Sequence, residues 1–166
     1  VVFDPGAKVI CERAFADCPK LKNVILSEGL QAISAGAFSN CKSLLLITIP
    51  DTVIGISKGA FEDCVQLAQL QLSSGLKQIG EKAFESCAAL QDLMIPDTVE
   101  QIGNGAFRDC KNLQTVKISA NVSVVPDALF ARCMALEALS IPGKVETIGA
   151  RAFQWCSNLT EVHLPD

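Results

Sequence analysis

Apolar and polar positions recur along this chain with a fixed step of 23 residues. Cys18, Cys41, Cys64, Cys87, Cys110, Cys133 and Cys156 mark the step, and Phe15, Phe38, Phe61, Phe84, Phe107, Phe130 and Phe153 precede them by three residues. Leu21, Leu44, Leu67, Leu90, Leu113, Leu136 and Leu159 follow by three. Within one unit, Leu44, Ile47 and Ile49 alternate with outward residues, which predicts a short strand with one buried face. Pro50 has no N–H to donate and ends that strand. Asp51-Thr52 forms a turn, and Val53 and Ile56 return the chain across the core. Ser57 stands where an N-cap would serve a helical turn over Lys58 to Asp63, with Ala60 and Phe61 facing inward. Ser34, Gly80, Gly103 and Gly149 hold the same bend position in other units.

A period in the range of 20–29 residues with leucines at fixed offsets is the mark of a leucine-rich solenoid. The expected fold is therefore α/β: a right-handed leucine-rich-repeat solenoid, with a curved parallel sheet and short helical turns on the convex side. Residues 1–166 form a single array of seven 23-residue units with eight short strands. No unit can bury its apolar face alone, so neighbours stabilise one another by stacking. Val1 and Phe3 align with Val24 and Leu26, and the chain closes just past Val162 to Leu164. Solenoids need polar caps at both ends and neither is apparent, so the sequence is expected to be a fragment or to have its caps outside these residues. A second rhythm overlies the first: Ser27, Pro50, Ser73, Pro96, Ser119 and Pro142 alternate after the strands, implying a doubled unit of 46 residues, and the pattern fails at Pro165.

Composition narrows the function. The 14 Lys and Arg against 18 Asp and Glu leave a net charge of −4, with no basic stripe to attract a nucleic acid. Hydrophobic residues make up 49%, which argues against disorder. The longest apolar run, Leu44 to Ile47, is far short of the ~18 residues that suggest membrane insertion.

The run Leu90-x-x-Leu93-x-Ile95-Pro96-x-x-Val99-x-x-Ile102-Gly103-x-x-Ala106-Phe107-x-x-Cys110 resembles the treponemal-type, or BspA-like, leucine-rich repeat, and the resemblance covers essentially the whole chain. It implies a curved parallel solenoid. It also implies an exported or surface protein engaged in adhesion and protein–protein contact, hence an extracytoplasmic location. The sixth unit departs from the pattern, with Pro126 in place of glycine and Leu129 in place of alanine, and a local widening is expected there.

Candidate chemistry is sparse. The seven periodic cysteines read as a ladder of reduced, buried thiols, since equivalent Cβ vectors run parallel and no Cys-x-x-Cys pair offers a metal site. Cys11 sits at the bend position and is the most reactive thiol expected. His163, the single histidine, neighbours Ser140 by register, but nothing supplies a third group or an oxyanion hole. No catalytic residue, cofactor or metal is expected. Trp155 stands in an otherwise polar column; it covers the core edge or anchors a partner.

The outward strand positions vary while the inward ones do not. Ile25, Leu45, Leu46 and Met94 place apolar groups toward water, beside Asn23, Thr48, Gln69, Gln71, Asp92, Thr115 and Lys117. Adjacent exposed apolar groups mark contact surfaces, so these eleven residues are the expected partner-binding site on the concave face, with another protein as partner. The alternative is a structural spacer that self-associates end to end.

Overall fold

A computed structural model describes residues 6–164. Thirteen short strands are set out in chain order. These are β1 (Val9–Ile10), β2 (Ala32–Ile33), β3 (Leu46–Thr48), β4 (Gly55–Ile56), β5 (Gln69–Gln71), β6 (Gln78–Ile79) and β7 (Asp92–Met94). The chain continues through β8 (Gln101–Ile102), β9 (Thr115–Lys117), β10 (Val124–Val125), β11 (Ala138–Ser140), β12 (Thr147–Ile148) and β13 (Glu161–His163). Every pairing is parallel and joins residues 23 apart, as Leu46↔Gln69 and Ile56↔Ile79 show. The odd-numbered strands from β3 onward lie where the sequence predicts them. The expected strand at Val24 and Leu26 is reduced to a bridge from Asn23 to Leu46, and the one at Val1 and Phe3 lies outside the described residues. The return segment carries a second set of strands that the hydrophobic pattern does not announce.

One contiguous apolar core runs through the stack, built from the recurrent Leu, Ile, Val, Ala, Phe and Cys columns. Its spine is a file of phenylalanine rings stacked face to face. Centroids lie 5.2–5.3 Å apart from Phe15 to Phe107, then 5.9 and 6.1 Å on to Phe130 and Phe153.

The expected helical turns are absent. Lys58 to Asp63 is a run of turns, and the reason is two left-handed residues per unit, four apart. Gly59 (φ 60°) and Asp63 (φ 59°) are one such pair, and Gly36 and Asn40 are another. An α-helix needs φ near −63° throughout and N–H bonds to the fourth residue back. Here alternate N–H groups leave the unit instead. Gly59, Phe61 and Asp63 donate to the carbonyls of Glu81, Ala83 and Glu85 in the next unit at 2.7–2.9 Å. Ala60, Glu62 and Cys64 between them bond three residues back. The turn side is therefore a third inter-unit ladder.

Two sequence irregularities acquire physical causes. At the bend position Ser57, Gly80, Gly103 and Gly149 each donate their N–H to the carbonyl 24 residues earlier, at 2.7–2.9 Å. Pro126 has no N–H to give. The five-stranded sheet β1-β2-β4-β6-β8 ends there and β10 pairs onward with β12. This break coincides with the wider ring spacing. The 46-residue rhythm also has a cause. Ser73 and Ser119 are fully buried, and their hydroxyls donate to the carbonyls of Val53 and Val99. The same hydroxyls accept the N–H groups of Gly75 and Asn121. Asp51 and Asp97 accept the N–H groups of Ser74 and Ala120 at 2.9 Å, and those bonds hold both carboxyls below the usual range. The proline-type units of Pro50 and Pro96 are thus tied to the serine-type units that follow, and the long strands pair likewise, β3 with β5 and β7 with β9, while β11 pairs with β13 without such a serine.

Candidate functional site

The period-2 geometry of the long strands sends their outer side chains to one surface. All eleven expected site residues lie on it and are exposed. Ile25 is 61% exposed, Met94 68%, Leu45 44% and Leu46 42%, large values for apolar side chains in a well-packed protein. Register brings them together: Asn23, Leu46 and Gln69 are successive neighbours, as are Asp92 and Thr115. Thr115 donates a hydrogen bond to Asp92, and Lys117 Nζ lies 3.4 Å from Asp97 Oδ2.

Three adjoining hollows run along this surface. One of about 300 Å³ is lined by Leu46, Thr48, Gln69, Gln71 and Asp92. The next, about 380 Å³, shares Asp92 and adds Met94, Thr115 and Lys117. The largest, about 620 Å³, shares Thr115 and Lys117 and opens over Ala138, Ser140 and His163, with Glu137 on its rim. No hydrogen bond joins β9 to β11 among the described residues, and Val116 and Ile118 line this last hollow. Sequence reasoning did not place Glu137, Ala138, Ser140 or His163 in the site. The available signal was that both outward columns fall to their smallest residues, Ala138 and Ser140, in one unit.

Ser140 and His163 are register partners, yet both are exposed, and His163 faces Glu161 at 3.5 Å. Nothing there shields a reacting group from water, which the hydrolytic triad requires. Trp155 is 70% exposed and adopts φ 66°.

The cysteine column is chemically quiet. Each thiol from Cys41 to Cys156 donates to the carbonyl of the phenylalanine 26 residues earlier, at 3.1–3.4 Å. In most units that carbonyl also accepts the N–H of its own unit's cysteine, as Phe38 does from Cys41. Both lone pairs are then used. Burial pushes the thiols up, Cys41 to about 11 and Cys64 and Cys110 to about 12. Cys11 is exposed. No described helix is long and apolar enough to cross a membrane.

Three inter-unit ladders around a phenylalanine spine, with leucine at fixed offsets, define a leucine-rich-repeat solenoid of parallel strands. The family model for the BspA type leucine rich repeat region, in six copies, matches residues 8–137 and 77–166. The chain belongs to that family. A leucine-rich repeat protein of T. pallidum is 34% identical, with a TM-score of 0.92 over 96% of this chain and 77% of its own. One from Bacteroides ovatus is 29% identical, with a TM-score of 0.94 over 99% of this chain but 45% of its own length. A leucine rich cell surface protein from Faecalibacterium prausnitzii, 23% identical with a TM-score of 0.58, covers 99% of this chain and 59% of its own, and shares the fold. Among curated proteins the chain has no match.

Proposed function

We propose that this chain is a non-catalytic protein-binding module whose contact surface is the concave face of the long strands. The observation that carries the reading is the coincidence, on one face, of exposed Ile25, Leu45, Leu46 and Met94 with three contiguous hollows. Apolar groups held in water beside adaptable amides are what a partner's surface can cover. The turn side offers less. Its Lys82, Glu85, Arg108, Asp109 and Arg132 lie in a file of ion pairs at 3.0–3.7 Å. An extracytoplasmic setting belongs to the same proposal and rests on family membership, one structural relative being described as a cell surface protein.

The test is a double substitution, Leu46→Asp with Met94→Asp. Both side chains are exposed, so the fold and its circular dichroism are expected to be unchanged. Capture of partner proteins by the immobilised chain is expected to fall by about tenfold or more, as for the loss of apolar anchors at an interface. Undiminished capture by this variant would move the contact elsewhere.

A further inference from the structure

The long-strand face is not uniform from end to end, and its two ends complement each other. Near the first unit it carries an exposed cation, Lys22, and a projecting apolar ridge of Ile25, Leu45 and Leu46. Toward the last units it carries exposed Glu137 and Glu161 beside Lys117 and His163, and the ridge is replaced by the hollow of about 620 Å³ over Ala138 and Ser140, with Glu137 in its lining. The apolar ridge with Lys22 beside it and the hollow with Glu137 in its lining lie on the same surface at opposite ends.

We infer that this face pairs two copies of the chain, antiparallel and face to face, about a two-fold axis that runs along the strands between β5 and β7. The inference rests on the strand-face reading and names its partner as a second copy. A two-fold interface is isologous, so each favourable contact occurs twice. The rotation keeps strand direction and reverses unit order, which lays the first unit over the sixth, the second over the fifth and the third over the fourth. Lys22 then meets Glu137 of the other copy, and Ile25 enters the hollow above Ser140. Leu46 covers Thr115, Gln69 meets Asp92, and Gln71 lies against Met94. The register one unit longer sets Asp92 on the axis against its own copy, a like-charge contact, and is disfavoured. The axis falls at a gap in the hydrogen-bonded ladder, between the pairs β3–β5 and β7–β9. Six strands, with five spacings between them, span ~24 Å at the usual strand spacing, so the contact is at the small end of protein interfaces and the dimer is weak.

Sedimentation velocity over a wide concentration range tests this. The wild-type chain is expected to pass reversibly from monomer to dimer. Lys22→Glu and Glu137→Lys each create two like-charge contacts and are expected to weaken association by about tenfold or more. An equimolar mixture of the two variants restores both ion pairs in a heterodimer and is expected to associate as the wild type does. Ala138→Trp, which fills the hollow at an exposed position, is expected to weaken association with the fold intact. A chain that stays monomeric at every concentration, or a dimer indifferent to these charge reversals and not rescued by mixing, would overturn the pairing. Loss of partner capture in the Leu46→Asp, Met94→Asp variant would still stand in that event, so failure of the dimer and failure of the strand-face site are distinguishable.

Discussion

Replacing Phe84 by alanine is expected to cost about 3–5 kcal/mol, the range for truncating a large buried aromatic, and to leave much of the chain unfolded at ambient temperature. Phe84 is fully buried, and its ring stacks on Phe61 at 5.2 Å and on Phe107 at 5.3 Å. Truncation opens a cavity and cuts the spine in its middle. In a solenoid each unit is stabilised by its neighbours alone, so the loss is felt on both sides. Domains of this size have only ~5–15 kcal/mol in hand. Phe153→Ala is the internal comparison. That ring is half-buried and stacks on Phe130 at 6.1 Å. Its cost in chemical denaturation is expected to be less than half that of Phe84→Ala. Equal costs would mean that the stack does not transmit stability along its axis.

Thiol reactivity is the second large effect. At pH 8 Cys11 is expected to react with an aromatic disulfide reagent within minutes. Cys64 and Cys110 are expected to be slower by at least three powers of ten. Thiolate is the reactive species. Moving these groups from an ordinary value near 9 to about 12 lowers its population at that pH about a thousandfold, before exclusion of the reagent is considered. In denaturant all eight cysteines are expected to titrate together as free thiols. Fewer would reveal disulfides and would contradict a column in which each sulfur donates to a phenylalanine carbonyl. Fast reaction of Cys64 in the native chain would contradict its burial.

The solenoid was legible because its determinants are periodic. Packing allows little choice at Phe84, Cys87 and Leu90, so the same residue types return every 23 positions and give the unit length, the parallel register and the inward face. The turn side was misread because its signal is conformational. Gly36, Gly59 and Gly105 in one column, with Asn40, Asp63 and Asp109 four residues on, are residue types that tolerate left-handed backbone. Taken together they forbid a helix, whereas Ser57 as an N-cap and Ala60-Phe61 as an inward pair argued for one. The second set of strands is only two residues long, too short for alternation to show. Pro126 was visible as a departure, and its consequence follows once the bend position is seen to need an N–H.

The face itself was legible as exposure. Ile25, Thr48, Gln71 and Met94 share one side because strands alternate, and the structure sets them there. What the columns do not display is depth. Ala138 and Ser140 look unremarkable one at a time, and the hollow exists because they coincide in one unit beside the unpaired edge of β9.

The central claim is that contact is made through the long strands and not through the turns. A photo-activatable phenylalanine analogue placed at Gln71, on the strand face, and separately at Arg132, on the turn side, tests it most directly. The account predicts covalent adducts with bound protein from position 71 and none above background from position 132. Adducts from position 132 alone would contradict it.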